Sequence, residues 1–264
     1  MIEFNKLLIL SIVAALLELD VYYVGVFLIA QPIFLGAFAG YFLGDIKIGI
    51  LLGSIVQLIW INNPPVGAFV PPSSSAIAFI STVFSLEMIK NNGNLNKEAL
   101  LMFCLIIGIT AGYFIGQTDI WHRKLNVKII HLFENKIKEC KEKYIYLIQI
   151  LSLTIKFLKD FFIFIVIING IFLAESIFIS LPYQIIRGLK IAFWIMPIIG
   201  LAVIFNMMGT KEGMRLHGII FLLSYLLFYL LKGNINILFF ILIITLFGFS
   251  FAYVLIFKNK KATE

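Results

Sequence analysis

The stretch IWINNPPVGAFVPPSSSAIAF, Ile59 to Phe79, carries four of the chain's seven prolines, two adjacent asparagines and three consecutive serines. It is flanked by apolar sequence, Ile33 to Ile61 before it and Ala76 to Ile89 after it. Prolines 64, 65, 71 and 72 remove backbone donors and stop a helix from continuing. Non-helical backbone at membrane depth is tolerated only where it is buried in protein or lines a water-filled cavity. The other reading is an extramembrane loop joining two helices. Val66, Ala68, Phe69 and Val70, set between the prolines, favour the buried one. Discontinuous segments near the bilayer midplane are where secondary transporters hold their substrates. Gln57, Asn62, Asn63, Ser73, Ser74 and Ser75 supply amides and hydroxyls, which suit a neutral polyhydroxylated ligand better than an ion.

The rest of the chain agrees with a membrane setting. Of 264 residues, 61% are hydrophobic and 13% charged, about half the charge of an ordinary soluble domain. The chain is therefore expected to be an all-α integral membrane protein, a polytopic bundle with re-entrant or discontinuous helices. It is read as a single transmembrane domain, 1–264. Residues 1–89 form an N-terminal part holding a hairpin and the proline-rich segment, 121–144 an amphipathic helix, and 145–257 the C-terminal helices. The net charge of +7 points to basic cytoplasmic loops rather than to nucleic acid, because Lys and Arg concentrate on that side of a membrane. The run after Lys6 imitates a signal peptide, but no clean small-residue cleavage site follows, and it is read as a retained first helix.

Ile33–Leu43 and Ile48–Ile61 are each short for a crossing at about 1.5 Å per residue, and GDIKIG separates them. They predict a re-entrant hairpin or a discontinuous helix. Glycines at 36, 40, 44, 49 and 53 fall at spacings that let helix backbones approach closely in lipid. Ala99–Ile115 predicts a span. Trp121–Tyr144 then places Leu125, Ile129, Leu132, Phe133 and Ile137 at helical spacing among lysines. That pattern predicts a separate basic helix on the cytoplasmic surface or under the bundle. Ile145–Leu158 and Phe161–Leu181 are apolar, with Lys159–Asp160 between them; Ile191–Met208 is expected to break at Pro197, and Ile219–Leu231 and Ile235–Phe257 are the last apolar runs.

Asp20 interrupts the first span. An intramembrane carboxylate is functional by default, whereas one at a helix end in the interface costs little; both readings are open for Asp20, and the second is expected of Glu18. Asp45 and Lys47 read as a charged turn. Asn206, in FNMM, is placed either to bind a ligand or to bond a neighbouring helix. His122, His131 and His217 read as solvated loop residues. Cys104 and Cys140 have no metal-type spacing, and neither a P-loop nor a nucleophile elbow is present. No catalytic residue, metal or cofactor is expected.

Asp20 followed by QPIFLGAFAGYFLGDIKIGILLGSIVQLIWINNPPVGAFVPPSSSAIAFISTVF (Gln31–Phe84) resembles the IIC subunit of mannose/fructose/sorbose-family permeases of the phosphoenolpyruvate-dependent phosphotransferase system. Weaker similarity continues through Gly116–Gln117, HRKLN and FNMM. The resemblance implies a multi-pass protein of a bacterial cytoplasmic membrane that pairs with a IID subunit, as a trimer of IIC–IID pairs, to carry a hexose. Phosphoryl transfer would belong to the cytoplasmic IIB partner, recharged by IIA, so the chain itself would not be an enzyme. Asp20, Gln57, Asn62, Asn63, Ser73 and Asn206 are the substrate-site residues it suggests. Members of that family commonly carry Arg where this chain has Gln31, Glu where it has Gln57, a glycine near Asn62–Asn63 and Asp where it has Ser73. The neutral replacements allow three readings: altered sugar choice, a compensated exchange of buried partners, or a IIC-like chain outside the phosphotransferase pathway. A member of that last kind would move another small solute or serve only as a structural partner of a IID subunit.

Overall fold

A computed structural model describes residues 4–21, 24–25, 27–63, 69–93, 95–138 and 142–207. The chain falls into two compact units, Met1–Gly200 and Leu201–Glu264. Of the second unit, the described residues are 201–207. The last two apolar runs, the basic tail, His217, Cys140 and residues 64–68 of the proline-rich stretch lie outside the described residues.

Every regular element among the described residues is helical. These are α1 (Phe4–Glu18) with a 3-10 turn at Leu19–Val21, α2 (Pro32–Leu43), α3 (Ile46–Trp60), α4 (Ser74–Asn91), α5 (Lys97–Lys138), α6 (Glu142–Asn169), α7 (Ile171–Ile179) and α8 (Tyr183–Met207). Among the described residues, three stretches are long and apolar enough to cross a membrane: Lys97–Glu134, Lys143–Ile179 and Tyr183–Ile204.

The two short apolar runs form α2 and α3, which pack against each other as a helical hairpin. Pro32 at the first turn of α2 has its ring angle preset for a helix and lacks a donor that would be unpaired there anyway. Gly44 ends α2 in the left-handed region, φ 99°, donating its N–H back to Gly40 O, a conformation that a side chain resists. Asp45 then caps α3, accepting from Lys47 N at 3.0 Å and Ile48 N at 3.2 Å. The charged pair is thus a local turn, as its sequence suggests. The glycines face one another: a Cβ placed on Gly36 would lie 2.5 Å from Gly49 O, and one on Gly53 2.7 Å from Pro32 O. Backbone packs on backbone here.

Helix α4 is the central post, buried continuously from Ser75 to Met88. Its hydroxyls remain satisfied inside apolar surroundings: Ser81 donates to Ile77 O (2.6 Å), Thr82 to Ala78 O (2.8 Å) and Ser85 to Ser81 O (2.7 Å). Around it, Leu10, Ala14, Leu35, Ala39, Phe79, Val83, Leu100, Phe164 and Ile168 form one core. Phe79 meets Phe164 edge to face at 5.4 Å. A second cluster joins Leu52, Val56, Ile77, Leu105 and Phe193.

Three expectations about the later helices need correction. The basic segment is not a separate surface helix. It continues the preceding span as the last part of α5, a single 42-residue helix. Its apolar positions are also not uniformly covered, since Ile129 is buried while Leu132 is 80% exposed. Second, α6 runs unbroken through Lys159–Asp160 and ends at Asn169, with Gly170 between it and α7. Third, α8 passes through Pro197 without ending.

Candidate functional site

The proline-rich stretch, the end of α1 and the start of α2 enclose a cavity of about 420 Å³, within the usual size range for a small-molecule site. Its wall includes Glu18, Asp20, Gln31, Gln57, Trp60, Asn63, Pro71, Pro72, Ser73–Ser75 and Asp119.

Each polar wall residue is set by a local reason. Asp20 follows the end of α1 and is buried. Its two carboxylate oxygens accept from Phe27 N (2.8 Å) and Ala30 N (3.3 Å). It therefore ties back the loop leading to α2, a loop in which Leu28 sits at φ 67°, a position unusual for a bulky side chain. Ser73 caps α4, accepting from Ala76 N at 3.2 Å. The same hydroxyl donates to Glu18 Oε1 at 2.8 Å, and Ser75 donates to that oxygen at 2.6 Å. Glu18, expected in the interface, is instead 1% exposed and bound from α4. The reason is that its helix ends against the N-terminus of α4, where two hydroxyls replace water.

Gln31 and Gln57, 26 residues apart, meet across the α2–α3 hairpin: Gln57 Nε2 donates to Gln31 Oε1 at 2.7 Å. The two neutral replacements are thus partners of each other. That contact favours a compensated exchange over two independent losses. Gln57 Oε1 is buried and accepts no hydrogen bond among the described residues.

On the α5 side, Asp119 borders the cavity and a cluster of four buried charges. Lys156 Nζ lies 2.5 Å from Asp119 Oδ1 and 2.8 Å from Asp160 Oδ2; Lys159 lies 2.9 Å from Asp160 Oδ1 and also pairs with Asp119. Lys159 donates to Thr118 Oγ1 at 3.0 Å as well. Spacings of three and four along α6 put Lys156, Lys159 and Asp160 on one face, and Asp119 completes the set from α5. Nearby, the His122 ring contacts Ser152 O at 3.2 Å and is fully buried, not a solvated loop residue.

Of the substrate-site residues suggested by the sequence, Asp20, Gln57, Asn63 and Ser73 come together on this wall. Asn62 is exposed and outside the lining, because the turn after α3 directs its neighbour Asn63 there instead. Asn206 is exposed near the end of α8 and belongs to the second unit. Two wall carboxylates were not expected, Glu18 and Asp119. For Asp119 a signal exists: an acid ending one apolar run, and KFLKD in the next with the complementary charges. Among the described residues no three carboxylates, histidines or cysteines converge to hold a metal ion.

Comparison with known proteins places this chain in a family. The model of the family described as the PTS system sorbose-specific IIC component matches residues 4–254. The sorbose-specific EIIC component of Klebsiella pneumoniae is 25% identical over 186 residues, 69% of this chain and 65% of that protein. The fructose permease IIC component of Bacillus subtilis (strain 168) is 25% identical over 181 residues, 68% of this chain and 64% of that protein. The chain thus spans just under two thirds of the length of these two relatives. A solved structure described as a membrane protein has the same fold, with a TM-score of 0.71 at 18% identity over 96% of this chain and 97% of that one. With a family match running almost from end to end, this helical bacterial membrane protein belongs to the PTS sorbose-specific IIC component family.

Proposed function

We propose that the chain acts as one permease domain, the IIC subunit of a sorbose/mannose-type phosphotransferase system, carrying a hexose through the bacterial cytoplasmic membrane. The observation that carries this reading is the cavity at the helix break. Its amides and hydroxyls (Gln31, Gln57, Asn63, Ser73–Ser75) alternate with Trp60 and two prolines. A wall that mixes hydrogen-bonding side chains with an aromatic ring and prolines suits a compact polyol. Asp20, Gln57, Asn63 and Ser73 are the residues assigned to the sugar. The α2–α3 hairpin enters the membrane without crossing it, since helices of 12 and 15 residues reach roughly 18 and 23 Å. Phosphorylation then falls to a IIB partner, recharged by IIA, with a IID subunit beside this one in the membrane, assembled as trimers of pairs.

The intact Gln31–Gln57 contact supports a working permease over a IIC-like chain that has left the pathway. The test uses membrane vesicles containing this chain with IID, IIB and IIA supplied. Given phosphoenolpyruvate, they are expected to accumulate the phosphate of at least one sugar from a panel including sorbose, fructose and mannose. If no sugar is taken up or phosphorylated, and leaving this chain out changes nothing, the permease reading is wrong.

A further inference from the structure

We propose that Asp119 holds a hydroxyl group of the transported sugar through Oδ2, while its other oxygen stays committed to Lys156 and Lys159. The inference rests on the permease reading above and adds a specificity-determining residue that the family resemblance does not suggest.

The register of α5 puts this side chain on the wall. Gly112, Gly116 and Asp119 fall on one helix face, at spacings of four and three. A Cβ on Gly112 would lie 2.7 Å from Ser73 O, and one on Gly116 3.0 Å from Pro71 O. Gly112 O also accepts from Ser73 N at 3.0 Å. Bare backbone therefore docks α5 against the proline-rich break. Asp119 follows one turn later on that face and borders the cavity.

The three carboxylates of the wall are held in different ways. Asp20 has one backbone N–H on each oxygen. Glu18 takes both serine hydroxyls at Oε1. Among the described residues, Asp119 alone of the three is ion-paired. Lys156 and Lys159 both donate to its Oδ1, and Oδ2 accepts no hydrogen bond among the described residues. Nor is Oδ2 closed off as the two oxygens of Asp160 are, so it opens onto the cavity that its residue borders.

A carboxylate in an ion pair offers acceptor oxygens only. The ligand group that fits Oδ2 is therefore a donor, and on a neutral polyol the donor is a hydroxyl. Such a bond is charge-assisted, roughly twice as strong as one to a neutral acceptor. Two ammonium groups on one oxygen also fix the direction of the other before the ligand arrives, which reduces the ordering cost of binding. An analogue lacking the matching hydroxyl leaves a buried acceptor unpaired and is rejected on that ground.

The experiment uses nanodiscs holding this chain with its IID subunit, and calorimetry of sorbose, fructose and mannose. The tightest-binding sugar is then compared with its singly deoxygenated analogues, one hydroxyl removed at a time. At least one analogue is expected to bind about ten- to a hundredfold more weakly, the size of one hydrogen bond to a charged acceptor. Asp119→Asn can keep its oxygen on the lysines and turn an N–H to the cavity. It is expected to shrink that one penalty to about twofold and to leave the penalties at other positions unchanged. A merely structural Asp119 would weaken parent sugar and analogues alike; if every ratio is preserved in the variant, the proposal is wrong. Because Asp119→Asn alone strands a lysine charge, it is also combined with Lys159→Met, which leaves Lys156 balanced by Asp160. The same selective loss is expected there, and its absence overturns the proposal. An unaltered chain that binds all its deoxy analogues within about twofold of the parent sugar overturns it without any variant, and leaves the permease reading standing. Binding of none of the three sugars removes the permease reading and this inference with it.

Discussion

Two sides of one cavity bury polarity in opposite ways. At the α2–α3 hairpin, Gln31 and Gln57 share a single neutral hydrogen bond. At the α5–α6 contact, Asp119, Lys156, Lys159 and Asp160 share four ionic contacts with almost no solvent access. The neutral pair leaves donors and acceptors over and tolerates loss of a partner. The ionic cluster has no such slack, because every member is needed to neutralise the others. A buried pair contributes little relative to an apolar replacement of both partners, yet removing one partner alone strands a charge. The hairpin side is accordingly the one free to vary with the ligand, and the α5–α6 side is the one that fixes the frame.

That contrast breaks most sharply at Lys156, which is fully buried. Lys156→Met leaves Lys159 to serve both Asp119 and Asp160 and is expected to cost about 3–5 kcal/mol, read as a large fall in the detergent-solubilised unfolding temperature. If the fall is small, the cluster is not the rigid side. The middle effect lies on the neutral side. Gln57→Glu puts a carboxylate opposite Gln31, which can turn its amide to donate but cannot neutralise it. The expected cost is about 2 kcal/mol. Adding Gln31→Arg is expected to recover most of it, and a double-mutant cycle showing no coupling between 31 and 57 would deny that they are partners. The smallest effect is Ser73→Ala, which removes the α4 cap and one of two donors to Glu18. A loss of about 1 kcal/mol is expected, together with weaker sugar uptake in the vesicle assay.

How legible this was in the sequence depended on whether a feature was local. Membrane class followed from composition, and the hairpin from two short apolar runs, regularly spaced glycines and a Gly–Asp junction. The proline-rich break pointed to a cavity because two proline pairs so close together, 64–65 and 71–72, leave no run of backbone donors long enough for a helix. Reading failed where charges found partners far away in the chain. Lys159–Asp160 looked like a boundary between two helices because a charge pair interrupts apolar sequence. It is interior to α6, made tolerable by an acid 40 residues earlier. Glu18 looked like an interfacial residue because its serine donors lie more than 50 positions on. Asn62 and Asn63 were indistinguishable as letters, and only the turn geometry after α3 separates them. The Gln31–Gln57 contact is the instructive middle case: both departures were visible, but not that they touch.

Helix α5 has one more consequence. Its 42 residues make a rod of about 63 Å, roughly twice the hydrocarbon thickness of a bilayer, with Asp119 near the middle. Lys138 stands roughly 28 Å further along the axis at helical rise. A pivot at Asp119 is therefore a lever: tilting the rod by about ten degrees swings its far end by roughly 5 Å on that arm length. Whatever alters the charge balance at the cavity wall is in a position to be felt, magnified, at the basic end of the helix.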